Sequence, residues 1–158
     1  MATLTATKAK TRAVRPAVGA AGNMKAQFET YTLSANVTAA DILEMFWLPA
    51  NATVIGGWLY ADDIDTGIET LDIDVGFAGN GVDTADPDAF GNFGVLTGDA
   101  VTGIKPETGT SMPLGGLLIT AGPQKFTVPT KIQLVFNVAA ATFASGEISL
   151  VMYYVVND

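Results

Sequence analysis

Apolar and polar residues alternate most clearly at Leu71-Asp72-Ile73-Asp74-Val75-Gly76-Phe77. Successive side chains of a strand point to opposite faces, so this spacing predicts a half-buried strand with Leu71, Ile73, Val75 and Phe77 inward and both aspartates outward. The same two-residue period places Ile132, Leu134, Phe136 and Val138 on one face of a strand over 131–139. It does the same for Ile148, Leu150, Met152 and Tyr154 in a strand over 147–156. Further strands are predicted over 26–34, 42–48, 52–61, 117–120 and 125–129, and Gly56-Gly57 within 52–61 suggests a bulge or a close backbone approach.

Only Thr38–Asp41 and Asp86–Phe90 invite a helical turn, and neither is long enough to cover a sheet. Sheet must therefore pack on sheet: about eight short strands joined by Gly, Pro and Asp turns predict an all-β, antiparallel sandwich with jelly-roll-like topology. Residues 79–116, rich in Gly, Asp and Thr, form a longer connection than a sandwich requires, and loops of that length are usually functional. This loop is expected to project toward a neighbouring subunit, with Phe90, Phe93, Met112 and Leu114 as subunit contacts. The alternative is that these four pin the loop onto its own domain.

Charge divides the chain. Residues 1–25 hold five cations, Lys8, Lys10, Arg12, Arg15 and Lys25, and no acid, whereas residues 26–158 hold three cations and all sixteen acids. The net of −8 is thus +5 on the first segment and −13 on the rest. The expected organisation is a basic, flexible, extended N-terminal arm over 1–25 and a sandwich domain over 26–158. The arm has too little apolar mass for a core and no apolar run of the kind a signal peptide needs, so it is expected to stay in the mature protein. No segment is apolar for long enough to span a membrane as a helix. The five cations would anchor the arm on an acidic partner surface; nucleic acid is disfavoured as that surface because the acidic body repels phosphate.

Composition narrows the chemistry further. The chain is 49% hydrophobic and only 15% charged, an unusual balance for a free monomer, which points to surface covered by partners. Trp47 adjoins Phe46, so the two face opposite sides of a strand, and Trp47 is a candidate subunit contact. There is no histidine and no cysteine, which removes the usual general base, the usual zinc ligands and the thiol nucleophile. No serine has a lysine three residues on, and Gly79-Asn-Gly81 lacks the third glycine of a nucleotide fingerprint. Ten of the sixteen acids fall between Asp62 and Asp99. Paired carboxylates could cleave glycosides, and Asp62-Asp63-Ile64-Asp65-Thr66-Gly67 or Asp83–Asp88 could attract calcium. The spacing does not match a calcium loop, however, and turn-forming aspartates explain it more simply. No catalytic residue, no metal site and no cofactor is expected. Trp47, Trp58, Tyr60, Tyr153 and Tyr154 could stack against a sugar, although such residues more often serve cores and interfaces.

The run from Asp41-Ile-Leu-Glu-Met-Phe-Trp47 through Trp58-Leu-Tyr60 to Thr70-Leu-Asp-Ile-Asp-Val-Gly76, with Ala139 to Tyr154, resembles small virion structural proteins of tailed bacteriophages. Within that group it is most similar to head decoration, or cement, proteins. That resemblance implies a non-enzymatic protein on the capsid surface of a virion, synthesised in the host cytoplasm. Its partner would be the major capsid protein, bridged from outside by a homo-oligomer, a trimer in preference to a dimer. The alternative function is a carbohydrate- or receptor-binding sandwich of a phage fibre or cell-surface protein.

Overall fold

In the computed structural model, which describes residues 2–6, 24–68, 70–95 and 110–156, nearly every element is a strand. They are β1 (Thr3–Thr5), β2 (Met24–Leu33), β3 (Asp41–Leu48), β4 (Ala52–Ala61) and β5 (Asp72–Phe77). There follow β6 (Asp86–Val95), β7 (Thr110–Pro113), a single helical turn α1 (Leu117–Thr120), β8 (Gln124–Phe126), β9 (Thr130–Val138) and β10 (Gly146–Val156). One sheet, here sheet A, has the order β1-β3-β9-β5-β6; the other, sheet B, runs β2-β10-β4-β7, with β8 also pairing β4. Between β2 and β5 the chain changes sheet at every connection, which lays the strands in two facing layers, a sandwich. Among the described residues all strand pairings are antiparallel except β1 with β3.

Period-2 patterning explains the core. Leu71, Ile73, Val75 and Phe77 are buried, as are Ile132, Leu134 and Phe136 from sheet A and Ile148, Leu150, Met152 and Tyr154 from sheet B. Between the layers the rings of Phe77 and Phe126 meet edge to face at 4.9 Å, with Phe90 6.2 Å and 6.4 Å from them. Such pairs add about 1 kcal/mol each beyond the area they bury. The Tyr154 hydroxyl lies in this interior without a partner among the described residues, and burial pushes its pKa up to about 12.

Four expectations are corrected. Asp86–Phe90 is not a helical turn but the start of β6. Pro87 is tolerated because β6 is an edge strand, and from that strand Phe90 meets the rings of Phe77 and Phe126. Residues 117–120 are not a strand but the turn α1: Gly116 at φ 57 redirects the chain, Thr120 N–H donates to the Gly116 carbonyl, and Ile119 is left 81% exposed. The 79–116 connection is not all loop, because it contains β6 and β7; residues 96–109 lie outside the described residues. Finally, the leading segment does not begin as free chain. Leu4 and Ala6 pack on the core, Ala6 N–H donates to the Glu44 carbonyl at 2.8 Å, and Ala2 N–H donates to Asp41 Oδ1 at 2.7 Å. Residues 7–23 therefore join two docked strands, β1 on the edge of sheet A and β2 on the edge of sheet B. These two edges border the same side of the sandwich, where β2 packs against β3.

Gly56-Gly57 is both a bulge and a close approach. Tyr153 pairs with Gly56 but Tyr154 pairs with Val54, so Ile55 is the extra residue. A Cβ at Gly57 would stand 2.3 Å from the Val151 carbonyl oxygen and 2.6 Å from Leu114 Cδ1. Gly57→Ala is expected to destabilise the fold by roughly 2 kcal/mol, read as a lowered midpoint in urea with an unchanged slope.

Candidate binding surfaces

The outward positions of sheet B form an apolar face. Register places Phe28, Val151, Trp58 and Pro113 in one row across β2, β10, β4 and β7. Ala26, Tyr153 and Gly56 make the next row, and Met24, Val155 and Thr53 the one beyond. Met24 is 67%, Phe28 50%, Ile55 43% and Tyr60 38% exposed, and the Trp58 and Tyr60 rings stack at 6.5 Å. Among the outward positions of β2, β4 and β10 the only charge is Glu147, at one end; β8 adds Lys125 at the other. At the Glu147 end, Tyr60, Ala61, Asp62, Glu147 and Ser149 line a shallow open depression. An apolar sheet face with charge only at its ends has the character expected of a candidate contact surface.

Sheet A presents the opposite character. Its outer face carries Glu44 and Lys131, paired at 2.7 Å, and Lys131 Nζ lies 5.0 Å above the Trp47 ring. Asp72 and Asp74 follow on β5, tied by Asn137 Nδ2 at 3.3 Å and 2.8 Å. Trp47 is thus half-buried by a neighbour on its own sheet, while Phe46 beside it is fully buried on the inner side.

The sequence-predicted contacts are distributed over these surfaces unevenly. Phe90 is fully buried, Met112 and Leu114 are buried, and Phe93 packs half-buried against the core, so the four pin their segment onto its own domain. Lys25 stands in β2 opposite Tyr154, whereas Lys8, Lys10, Arg12 and Arg15 lie outside the described residues. Of the aromatics, Trp58, Tyr60 and Tyr153 share the outer face of sheet B, and Tyr154 points inward. Sequence reasoning did not single out Phe28, Ile55 or Val151 as surface residues; their outward period was visible, but which parity faces out depends on the register with β10.

The carboxylates offered to calcium have other work. Asp65 is buried, and its Oδ2 accepts the backbone N–H groups of Thr70 at 2.6 Å and Leu71 at 3.0 Å while Oδ1 accepts that of Thr142 at 2.8 Å. It thereby holds the β4–β5 connection to the β9–β10 crossover. Asp62 Oδ2 accepts from Glu147 N–H at 2.8 Å, and Asp83 Oδ2 accepts from Asn80 Nδ2 at 2.8 Å. Among the described residues no group of three or more acids is arranged to hold a metal ion.

No protein-family model and no curated protein matches the chain, but its fold matches solved phage capsids. A chain of the capsid of Ralstonia phage GP4 superposes with a TM-score of 0.74 at 22% identity, over 99% of both chains. A chain from the capsid asymmetric unit of cyanophage Pam1 gives 0.62 at 26% identity, over 89% of this chain and 90% of that one. A third, from the acid-stable capsid of Helicobacter pylori bacteriophage KHP30, gives 0.50 at 14% identity, over 85% and 95%. This chain has the fold of those capsid components.

Two sets of carboxyls respond to pH in opposite senses. Backbone hydrogen bonds from Thr38 and Ala2 hold Asp41 below its ordinary value. In Asp65 burial raises the pKa, but the backbone donors of Thr70, Thr142 and Leu71 together outweigh it and the net direction is down. Burial pushes Asp74 up, with the charges of Asp72 and Asp88 adding to it against Asn137; burial and the adjoining Asp88 carboxyl likewise push Asp86 up. Groups with lowered pKa stabilise the fold above the ordinary value of 3.8 and lose that contribution as pH falls through their folded pKa. Groups with raised pKa do the reverse, so the fold gains as pH falls from neutrality through theirs. Thermal melting should therefore peak in mild acid and collapse below 3.8. Asp74→Asn is expected to raise the neutral-pH melting temperature, and Asp65→Asn to lower stability by about 3 kcal/mol through its orphaned backbone donors, both read by calorimetry across pH.

Proposed function

We propose that the protein is a non-enzymatic virion structural component that binds the outside of a phage capsid and stabilises it by bridging coat subunits. The observation that carries this reading is the likeness of nearly the whole chain to a phage capsid chain, with 99% coverage of each. The Pam1 likeness, at 26% identity, supports the same class. Its partner would be the major capsid protein, met as a homo-oligomer with a trimer favoured, and it would reside on the virion surface after synthesis in the host cytoplasm.

The cationic stretch is the natural fastening element. Lys8, Lys10, Arg12 and Arg15 belong by sequence to the stretch between β1 and β2, and both of those strands are paired into the sandwich. Held near a shell by several copies at once, even weak ionic contacts add through effective concentration. The acidic outer face of sheet A, turned to solvent, would keep loaded particles apart.

A second reading, sugar or receptor binding, draws on the stacked Trp58 and Tyr60 beside Asp62 and Glu147, the aromatic-plus-acceptor chemistry that sugars favour. A glycan array probed with the wild type and with Trp58→Ala separates the two readings.

Removing residues 1–25 wholesale would strip β1 and the start of β2, so the cleaner variant replaces Lys8, Lys10, Arg12 and Arg15 with Gln. This variant leaves the residues of β1 and β2 unchanged and should melt within about 1 kcal/mol of the wild type. Its co-sedimentation with empty phage heads should be lost or reduced at least about tenfold, and the wild type's binding should weaken with added salt. Full, salt-insensitive binding by the variant would reject the role of these cations.

A further inference from the structure

We infer that the outer face of sheet B is the surface through which a second copy of this chain docks, sheet face against sheet face. The inference does not depend on attachment to a shell.

Charge decides the occupant. The chain carries a net −8, so two copies repel each other over most of their surfaces. The repulsion vanishes only where the approaching faces lack acids. Across the outward positions of β2, β4 and β10 the sole acid is Glu147, at the margin, whereas the outer face of sheet A carries Glu44, Asp72 and Asp74. A charge-free face is matched by another charge-free face, and this chain supplies one in every copy. A strongly basic or acidic partner would find no counter-charge here and would leave its own charge desolvated.

The shape and composition agree. Phe28, Val151 and Trp58 lie in one row across three neighbouring strands, flanked by Ile55 and Tyr153, which gives a flat centre of aromatic and β-branched side chains. Interface centres are enriched in just these aromatics and depleted of charge, with polar residues confined to the rim. Thr30 and Ser149, joined at 2.7 Å, and Glu147 supply that rim at one end, and Lys125 at the other. Two such faces would pack like the layers of a sandwich, about 10 Å apart, with their strands nearly aligned.

Val151 is the test position, since its side chain points out between Phe28 and Trp58 while its neighbours Leu150 and Met152 fill the core. The experiment measures the mass of the full chain by light scattering and sedimentation, without capsids, for the wild type, Val151→Glu, Ile55→Glu and Val151→Thr. Circular dichroism confirms that each is folded, and Ile55→Glu guards against a misfolded Val151→Glu because Ile55 is the bulged, exposed residue. The wild type and Val151→Thr should run as multiples of 16.4 kDa, both glutamate variants as folded monomers, and the wild-type mass should persist at high salt, as apolar association does.

A monomeric wild type would overturn the inference, as would folded glutamate variants that keep the wild-type mass. In a separate co-sedimentation with empty heads, glutamate variants of unchanged mass that lose head binding would also overturn it, by assigning the face to the shell instead. A monomeric wild type would also remove the homo-oligomer from the shell-binding reading, but attachment to the shell through the cations is tested separately by the cation variant.

Discussion

The register of β10 is the constraint on which the rest depends. This strand is paired along its length by β2 on one side and β4 on the other. Its even-numbered residues from Ile148 to Tyr154 are wholly buried, while Ser149, Val151 and Tyr153 form the middle of the exposed face. A slip of one residue would exchange the two sets, emptying the core and burying the outer face. The core and the outer face are therefore set by the same hydrogen-bond ladder. Gly57, which lets β4 approach β10 closely opposite Met152, and the bulge at Ile55 keep that ladder in place.

Much of this architecture was legible in the chain because a half-buried strand writes its burial into every second residue. β5 is the clearest case, although Asp74, predicted to point outward, does so beneath Asn137 and is only 6% exposed. Legibility failed where local pattern and tertiary context disagree. Leu117-Leu-Ile-Thr120 reads as a strand by composition, yet Gly116 turns the chain and the segment closes into one helical turn. Asp86-Pro87 reads as a helix start, yet the site lies at a sheet edge where a missing donor is harmless. The short β1 could not be foreseen because three residues of mixed polarity carry no period; its place depends on Asp41 and on the free edge of β3.

The candidate surfaces were legible in part. Charge segregation is a property of composition and could be read directly, and so could the absence of histidine and cysteine chemistry. The aromatics were visible as a set but not as a surface, since only pairing tells that Trp58 and Tyr60 look out while Tyr154 looks in. Phe90, Met112 and Leu114 show the converse: apolar residues in a glycine-rich stretch, read as offered to a neighbour, are absorbed by their own domain. Over the described residues the molecule divides into a packed interior, a nearly uncharged face and an acidic face.

The docking of β1 gives the front of the chain a second fixed point. Ala6 and Met24 are both held by the fold, so the sequence between them is tethered at each end. The entropy of closing a loop grows only with the logarithm of its length, by about 0.6 kcal/mol for each doubling. Insertions or deletions between these two points are therefore expected to change the stability of the sandwich little, whereas cutting the pairing of β1 with β3 would release one of them.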